Sequence, residues 1–203
     1  MEKSMQRTLF IACLMCCVCL VGAGIASADQ AQDLQLIEDN LIEYQDFPKP
    51  GVRFYDVSGI LKQPQAFKKL IDVLVAHYKG HKIDAILALD ARGFLFATPL
   101  AYQLEIPVVM IRKPGKLPGV TINTSLTKEY AQDAIEMQTD ALLPNQRVII
   151  IDDLIATGGT IKAAIKLVRQ AHAEVIEVVS IVELTAFKTT RDLDVNVYSV
   201  IQK

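Results

Sequence analysis

The residue types best suited to chemistry gather in one string, Val148-Ile149-Ile150-Ile151-Asp152-Asp153-Leu154-Ile155-Ala156-Thr157-Gly158-Gly159-Thr160. Adjacent carboxylates, Asp152 and Asp153, accept hydrogen bonds from sugar hydroxyls. A glycine turn that opens a helix presents backbone N–H groups to an anion, here from Thr157 to Thr160, with the threonine hydroxyls as further donors. Side by side, the two features suit a ribose-phosphate ligand. Thr-Gly-Gly-Thr alone is more often an ordinary tight turn. What distinguishes this one is its surroundings. Val148 to Ile151 reads as a strand buried on both faces, with the acids at its end. Beyond the turn, Ile161, Ala164, Ile165 and Val168 share one helical face, opposite Lys162, Lys166 and Arg169. Strand, acidic tip, glycine turn and helix is how open α/β sheets bind ligands at the carboxyl ends of their strands. The pattern Gly-x-x-x-x-Gly-Lys-Ser/Thr is absent, so this is not a Walker A loop.

Three further groupings are weaker by themselves. Asp90-Ala91-Arg92-Gly93 ends another apolar run and reads either as a second anion-binding turn or as the start of a helix. Arg112-Lys113-Pro114-Gly115-Lys116 places three cations around a Pro-Gly turn, enough to neutralise a diphosphate or simply to be solvated. The polar stretch from Lys113 to about Ala131 is long for a compact domain, and such loops serve as lids; Glu129-Tyr130 lies near its end. His77, His81 and His172 have neither triad nor metal spacing and read as structural or surface residues.

The elements that must position these groups follow from periodicity. Leu34, Ile37, Leu41 and Tyr44 predict a short amphipathic helix, broken by Pro48-Lys49-Pro50-Gly51, and residues 52–60 read as irregular extended chain. Phe67, Leu70, Ile71, Leu74, Val75 and Tyr78 mark the clearest helix. Strands are expected over Ile83 to Leu89, Val108 to Arg112, Ile135 to Gln138, Val148 onward, Val175 to Leu184 and Val195 to Ile201, with a helix from about Phe94 to Leu104. Strands alternating with helices predict an α/β fold with a parallel sheet.

At 203 residues the chain suits one catalytic domain, residues 29–203, behind a distinct leader, residues 1–28. Lys3 and Arg7 precede an apolar run from Leu9 to Ile25, and Ala26-Ser27-Ala28 fits a cleavage site; the leader reads as a signal peptide or an N-terminal anchor. Membrane contact is expected only through residues 9–25, if they are retained. All four cysteines, Cys13, Cys16, Cys17 and Cys19, lie in that run, so the domain has neither disulfide nor thiol nucleophile. A net charge of −2 and a pI near 5.9 give no reason to expect nucleic-acid binding.

The opening string resembles the phosphoribosyl pyrophosphate signature of the type I phosphoribosyltransferases. Phe47-Pro48-Lys49-Pro50-Gly51-Val52, Asp90 to Phe96, Arg112 to Pro118 and Glu129-Tyr130 resemble the adenine-specific branch, in order, from about Asp33 to Ile201. The resemblance implies a parallel twisted sheet flanked by helices, with a small N-terminal hood, a flexible lid loop and a homodimeric assembly. It implies purine salvage, adenine and 5-phosphoribosyl 1-pyrophosphate giving AMP and pyrophosphate, with Mg2+ carried by the substrate rather than bound directly by protein. The 5′-phosphate would sit on Ala156, Thr157, Gly158, Gly159 and Thr160, and the ribose hydroxyls on Asp152 and Asp153. Asp90, Ala91, Arg92, Lys113 and Lys116 would meet pyrophosphate. Adenine would lie between Phe54 and Leu154, bonded to backbone around Arg53 and Tyr55. Glu129 would be the acid/base, with Arg92 and Lys113 beside it in catalysis, and Tyr130 would close over the site.

The chain departs from the family's pattern at Tyr55, usually arginine, at Leu126, usually tyrosine, and at Ala131, usually glycine. Two competing expectations are a transferase for another 6-substituted purine and a non-catalytic sensor of phosphoribosyl pyrophosphate. The substrate points to the cytoplasm, and the leader to an exported or periplasmic protein.

Overall fold

The computed structural model describes residues 29–125 and 134–203. Its centre is a five-stranded, wholly parallel sheet in the order β4-β3-β7-β8-β9. These strands are β3 (Ala85–Leu89), β4 (Val108–Ile111), β7 (Arg147–Ile155), β8 (Glu174–Glu183) and β9 (Asn196–Gln202). Helix α4 (Gly93–Leu104) connects β3 to β4, and α5 (Gly159–Gln170) connects β7 to β8. Strand order reverses between β3 and β7, so a crevice opens there at the carboxyl ends of the strands.

Two apolar layers hold the sheet. Ile86, Ala88, Ile149, Ile151, Val179 and Ile181 pack with α3 (Pro64–Tyr78) and α4 on one face. Ala85, Leu87, Leu89, Val148, Ile150 and Val178 pack with α5 on the other. The alternation follows from the two-residue period of a strand. It slips across the two acids: Leu154 joins the α4 layer and Ile155 the α5 layer. Strand β7 therefore runs on through Asp152 and Asp153 to Ile155, whereas the sequence places the acids at the strand's end.

The periphery differs more from expectation. The first helix, α1, covers residues 29–39 and stops where the Asn40 side chain donates to the Leu36 carbonyl, so Leu41 and Tyr44 are not helical. Tyr44 belongs to β1 (Ile42–Gln45), which pairs antiparallel with β2 (Arg53–Asp56); the stretch read as irregular, residues 52–60, holds β2 and the start of the short helix α2 (Ser58–Lys62). Asp56 turns the chain into α2 by accepting from the Ser58 amide and hydroxyl. The long loop after Lys113 likewise contains β5 (Thr121–Ser125), paired antiparallel with β6 (Ala134–Gln138). The three strands that the sequence conceals, β1, β2 and β5, are only four or five residues long and mix polar with apolar side chains, too short for periodicity to show. Among the described residues no helix is long and apolar enough to cross a membrane. The leader, residues 1–28, lies outside them.

Candidate active site

The crevice between β3 and β7 collects most of the groups singled out above. Arg92 stands at the N-terminus of α4, directly after the Asp90–Ala91 turn, whose peptide is cis. Gly93 brings that helix start against β7: a Cβ at position 93 would lie 2.7 Å from the Ile151 carbonyl oxygen. The close approach lets the Arg92 Nε donate to the buried Asp153 carboxylate, and sets its guanidinium 5.5 Å from the centre of the Phe54 ring. One side chain thus joins β7, α4 and the β1–β2 hairpin.

The two acids are not equivalent. Asp153 is paired with Arg92, while Asp152 accepts the Asp153 amide at 2.9 Å. Burial, followed by the neighbouring Asp153 charge, pushes the Asp152 carboxyl well above the usual carboxylate range. Asp152 is a group that a cation or several hydroxyl donors would stabilise. Among the described residues no group of three His, Cys, Asp or Glu could hold a metal ion. Two carboxylates at a crevice suit Mg2+ that keeps most of its oxygen ligands from a phosphorylated substrate.

The glycine turn follows immediately. Gly158 has φ +71°, Gly159 opens α5, and the Lys162 amide donates to the Gly158 carbonyl at 2.9 Å. Ala156 and Thr160 are half-buried and Thr157 is exposed, so the turn's surface is accessible at the mouth of the crevice.

Around the rim, Arg112 follows neither reading of its turn. Its Nε donates to Asp90 at 3.0 Å and its Nη1 to the Lys116 carbonyl at 3.2 Å, so it binds the two loops together rather than facing an anion. Lys113 and Lys116 are exposed on the same turn. Sequence reasoning missed Glu136, a buried carboxylate on β6. It accepts the Lys116 and Leu117 amides and the Thr121 hydroxyl, each at 3.1 Å, and thereby shapes the lysine turn. An isolated acid in a short strand carries no signal of this in sequence.

On the hairpin, Phe54 is half-buried and packs edge-on against Phe47, Tyr55 is buried, and Arg53 is exposed. Among the described residues β2 pairs with β1 alone, which leaves its other backbone edge available. Burial works against the Asp56 charge, but bonds from Ser58, with Arg92 and Lys62 nearby, hold its pKa below the ordinary value. Leu154 is half-buried beside the α4 layer. Glu129 and Tyr130, with Leu126 and Ala131, lie outside the described residues.

The histidines lie elsewhere. His77 bonds Glu177 at 2.8 Å and stacks on Tyr198 at the amino ends of the strands, and His172 occupies a left-handed turn, in keeping with structural roles.

An open parallel sheet with an acid pair, a glycine turn and an arginine gathered at its switch point defines a site for a phosphorylated sugar. Residues 56–202 match the phosphoribosyl transferase domain family. The adenine phosphoribosyltransferase of Mastomys natalensis is 51% identical over 159 residues, which cover 77% of this chain and 88% of that protein. The solved adenine phosphoribosyltransferase of Thermoanaerobacter pseudethanolicus is 42% identical, with a TM-score of 0.79 over 84% of this chain and 99% of that one. The Saccharomyces cerevisiae enzyme, complexed with an imino-altritol bisphosphate and adenine, has the same TM-score at 38% identity, covering 84% and 99%. The chain belongs to the phosphoribosyltransferase family and, within it, to the adenine phosphoribosyltransferases.

Proposed function

We propose that the chain is a purine-salvage enzyme that converts adenine and 5-phosphoribosyl 1-pyrophosphate to AMP and pyrophosphate. The observation that carries this reading is the Arg92 side chain, which lies between the β7 acid Asp153 and the Phe54 ring. Sugar, pyrophosphate and base sites then adjoin one another. The 5′-phosphate rests on the turn from Ala156 to Thr160, and Asp152 and Asp153 accept from the ribose hydroxyls. Adenine occupies the space by Phe54 and Leu154, with the free backbone edge at Arg53 and Tyr55 reading its polar rim.

The bond from the anomeric carbon to pyrophosphate breaks, the electron pair leaves with the diphosphate, and a ring nitrogen of adenine forms the new bond to that carbon. The transient ribosyl centre is cationic, so the protein's task is to hold charge on the leaving group. Arg92 turns from Asp153 toward it, joined by Lys113 and Lys116 with the Asp90–Ala91 backbone. When bound on the substrate's diphosphate, Mg2+ neutralises part of that charge. Glu129 takes the proton that adenine loses, and Tyr130 helps exclude water.

Exposed Leu95, Tyr102 and Met110, on α4 and on the sheet's edge strand β4, support a homodimer. Supply of phosphoribosyl pyrophosphate inside cells favours the cytoplasm; fractionation of cells expressing the whole chain distinguishes that from export directed by residues 1–28.

Pyrophosphate release is measured with Mg2+, phosphoribosyl pyrophosphate and, in turn, adenine, hypoxanthine, guanine and xanthine. Release with adenine alone is expected; release with another base instead replaces the substrate, and binding without release removes the enzymatic reading. Glu129→Gln should slow turnover far more than it weakens phosphoribosyl pyrophosphate binding, and equal losses would remove Glu129 from the chemistry.

A further inference from the structure

We infer that Thr189 is a positioning residue for the phosphate turn, acting through the backbone of Ala156. The inference rests on the proposed function for what the turn binds. Thr189 begins a short 3-10 turn (Thr189–Asp192) after β8, and it is buried. Its hydroxyl donates to the Ala156 carbonyl, 33 residues away in sequence. A trans peptide is planar, with C=O and N–H on opposite sides. Holding the Ala156 carbonyl down onto Thr189 therefore aims the Thr157 N–H the other way, toward the exposed side of the turn, where an anion would sit.

The Thr189 methyl sets a second constraint. A Cβ at position 158 would lie 2.1 Å from that methyl, so Gly158 rests directly on it and the height of the turn is fixed there. Thr189 is in turn supported from below. Its neighbour Thr190 donates to Glu183 at 2.6 Å, and this buried carboxylate also accepts from Ser199 at 2.8 Å and Gln202 at 3.3 Å on the edge strand β9. The orientation of the phosphate turn is thus locked to the far side of the sheet through Glu183, Thr190 and Thr189. Nothing in the catalytic groups requires this contact. Its chemistry is specific to the 5′-phosphate end of the substrate.

The test compares Thr189→Val, which keeps the shape and removes the donor, with Thr189→Ser, which restores a hydroxyl. Thr189→Val should raise KM for phosphoribosyl pyrophosphate on the order of tenfold, the effect of one misdirected donor to a charged group. KM for adenine and kcat should stay within about twofold, and Thr189→Ser should recover most of the loss. Thr189→Ala serves if the valine variant does not fold. An unchanged KM for phosphoribosyl pyrophosphate in a folded variant overturns the inference. So does a parallel change in both KM values and kcat, which would mark general damage. Titration of ribose 5-phosphate into each protein reads the turn without catalysis. Wild-type chain that binds it but releases no pyrophosphate with adenine defeats the functional reading alone, and equal affinity of wild type and Thr189→Val defeats this one.

Discussion

The parallel sheet and the β1–β2 hairpin border the same crevice but are built on opposite principles. The sheet's central strands β3 and β7 are buried on both faces, and the turns at their carboxyl ends are held by close contacts, such as the start of α4 pressed on the Ile151 backbone and the Gly158 turn resting on the Thr189 methyl. The hairpin has four residues per strand, is largely exposed, and reaches the site through Phe54 and its packing on Phe47 and Arg92. The lesson is a division of labour. Charge is handled at the ends of buried strands, where the scaffold is rigid, and the base is received where the scaffold is local and replaceable. Substitutions where α4 meets β7 should alter stability and chemistry together, and those on the hairpin should alter one substrate constant alone.

The largest effect is expected from Arg92→Ala. It removes a cation from the leaving group and leaves Asp153 buried without its partner, so kcat/KM should fall on the order of 10³-fold, with a lower melting temperature. A loss of activity at unchanged stability would break the link between the two roles. Next is Gly93→Ala, whose methyl would meet the Ile151 carbonyl at 2.7 Å. Forcing α4 away from β7 should cost about 1–3 kcal/mol in urea unfolding and move Arg92 off its acid. On the hairpin side, Phe54→Ala should raise KM for adenine about tenfold, as expected for loss of a stacking surface, and leave KM for phosphoribosyl pyrophosphate within twofold.

The smallest effect sharpens the comparison most. Asp152 binds its proton more tightly in the folded chain than in the unfolded one, because burial and then Asp153 disfavour its charge. The stability this linkage contributes is complete below the ordinary carboxylate value of 3.8 and is lost as pH rises through the raised folded value. At neutral pH, Asp152→Asn should therefore raise the melting temperature of ligand-free protein by roughly 3 °C while reducing turnover. The gain should shrink as pH falls toward about 4. A gain constant across that range would mean that Asp152 is not the strained charge.

Particular residues show how much of this was legible in advance. The run Val148 to Ile151 announces a buried parallel strand because uninterrupted β-branched residues suit no half-exposed element. The acids and glycines after it point to a ribose phosphate because few other uses need both together. Tyr44, by contrast, falls on a helical period by coincidence and is strand, and β5 is concealed in a polar loop. Short antiparallel strands are stabilised by their partners more than by their own pattern.

The amino-acid sequence by itself determined the α/β class, the succession of the parallel strands and their helices along the chain, the acid-and-glycine string and the family, since all of these rest on local periodicity and contiguous motifs. Only the tertiary structure decided that Arg92 grips Asp153, that Arg112 binds two loops together instead of facing an anion, that Glu136 shapes the lysine turn, and that Thr189 underlies the phosphate turn. Each of these joins residues 20 to 61 positions apart through a contact of one hydrogen bond's length. Such a contact is set by which strands become neighbours and how closely a glycine lets them approach, and no pattern along the chain records it.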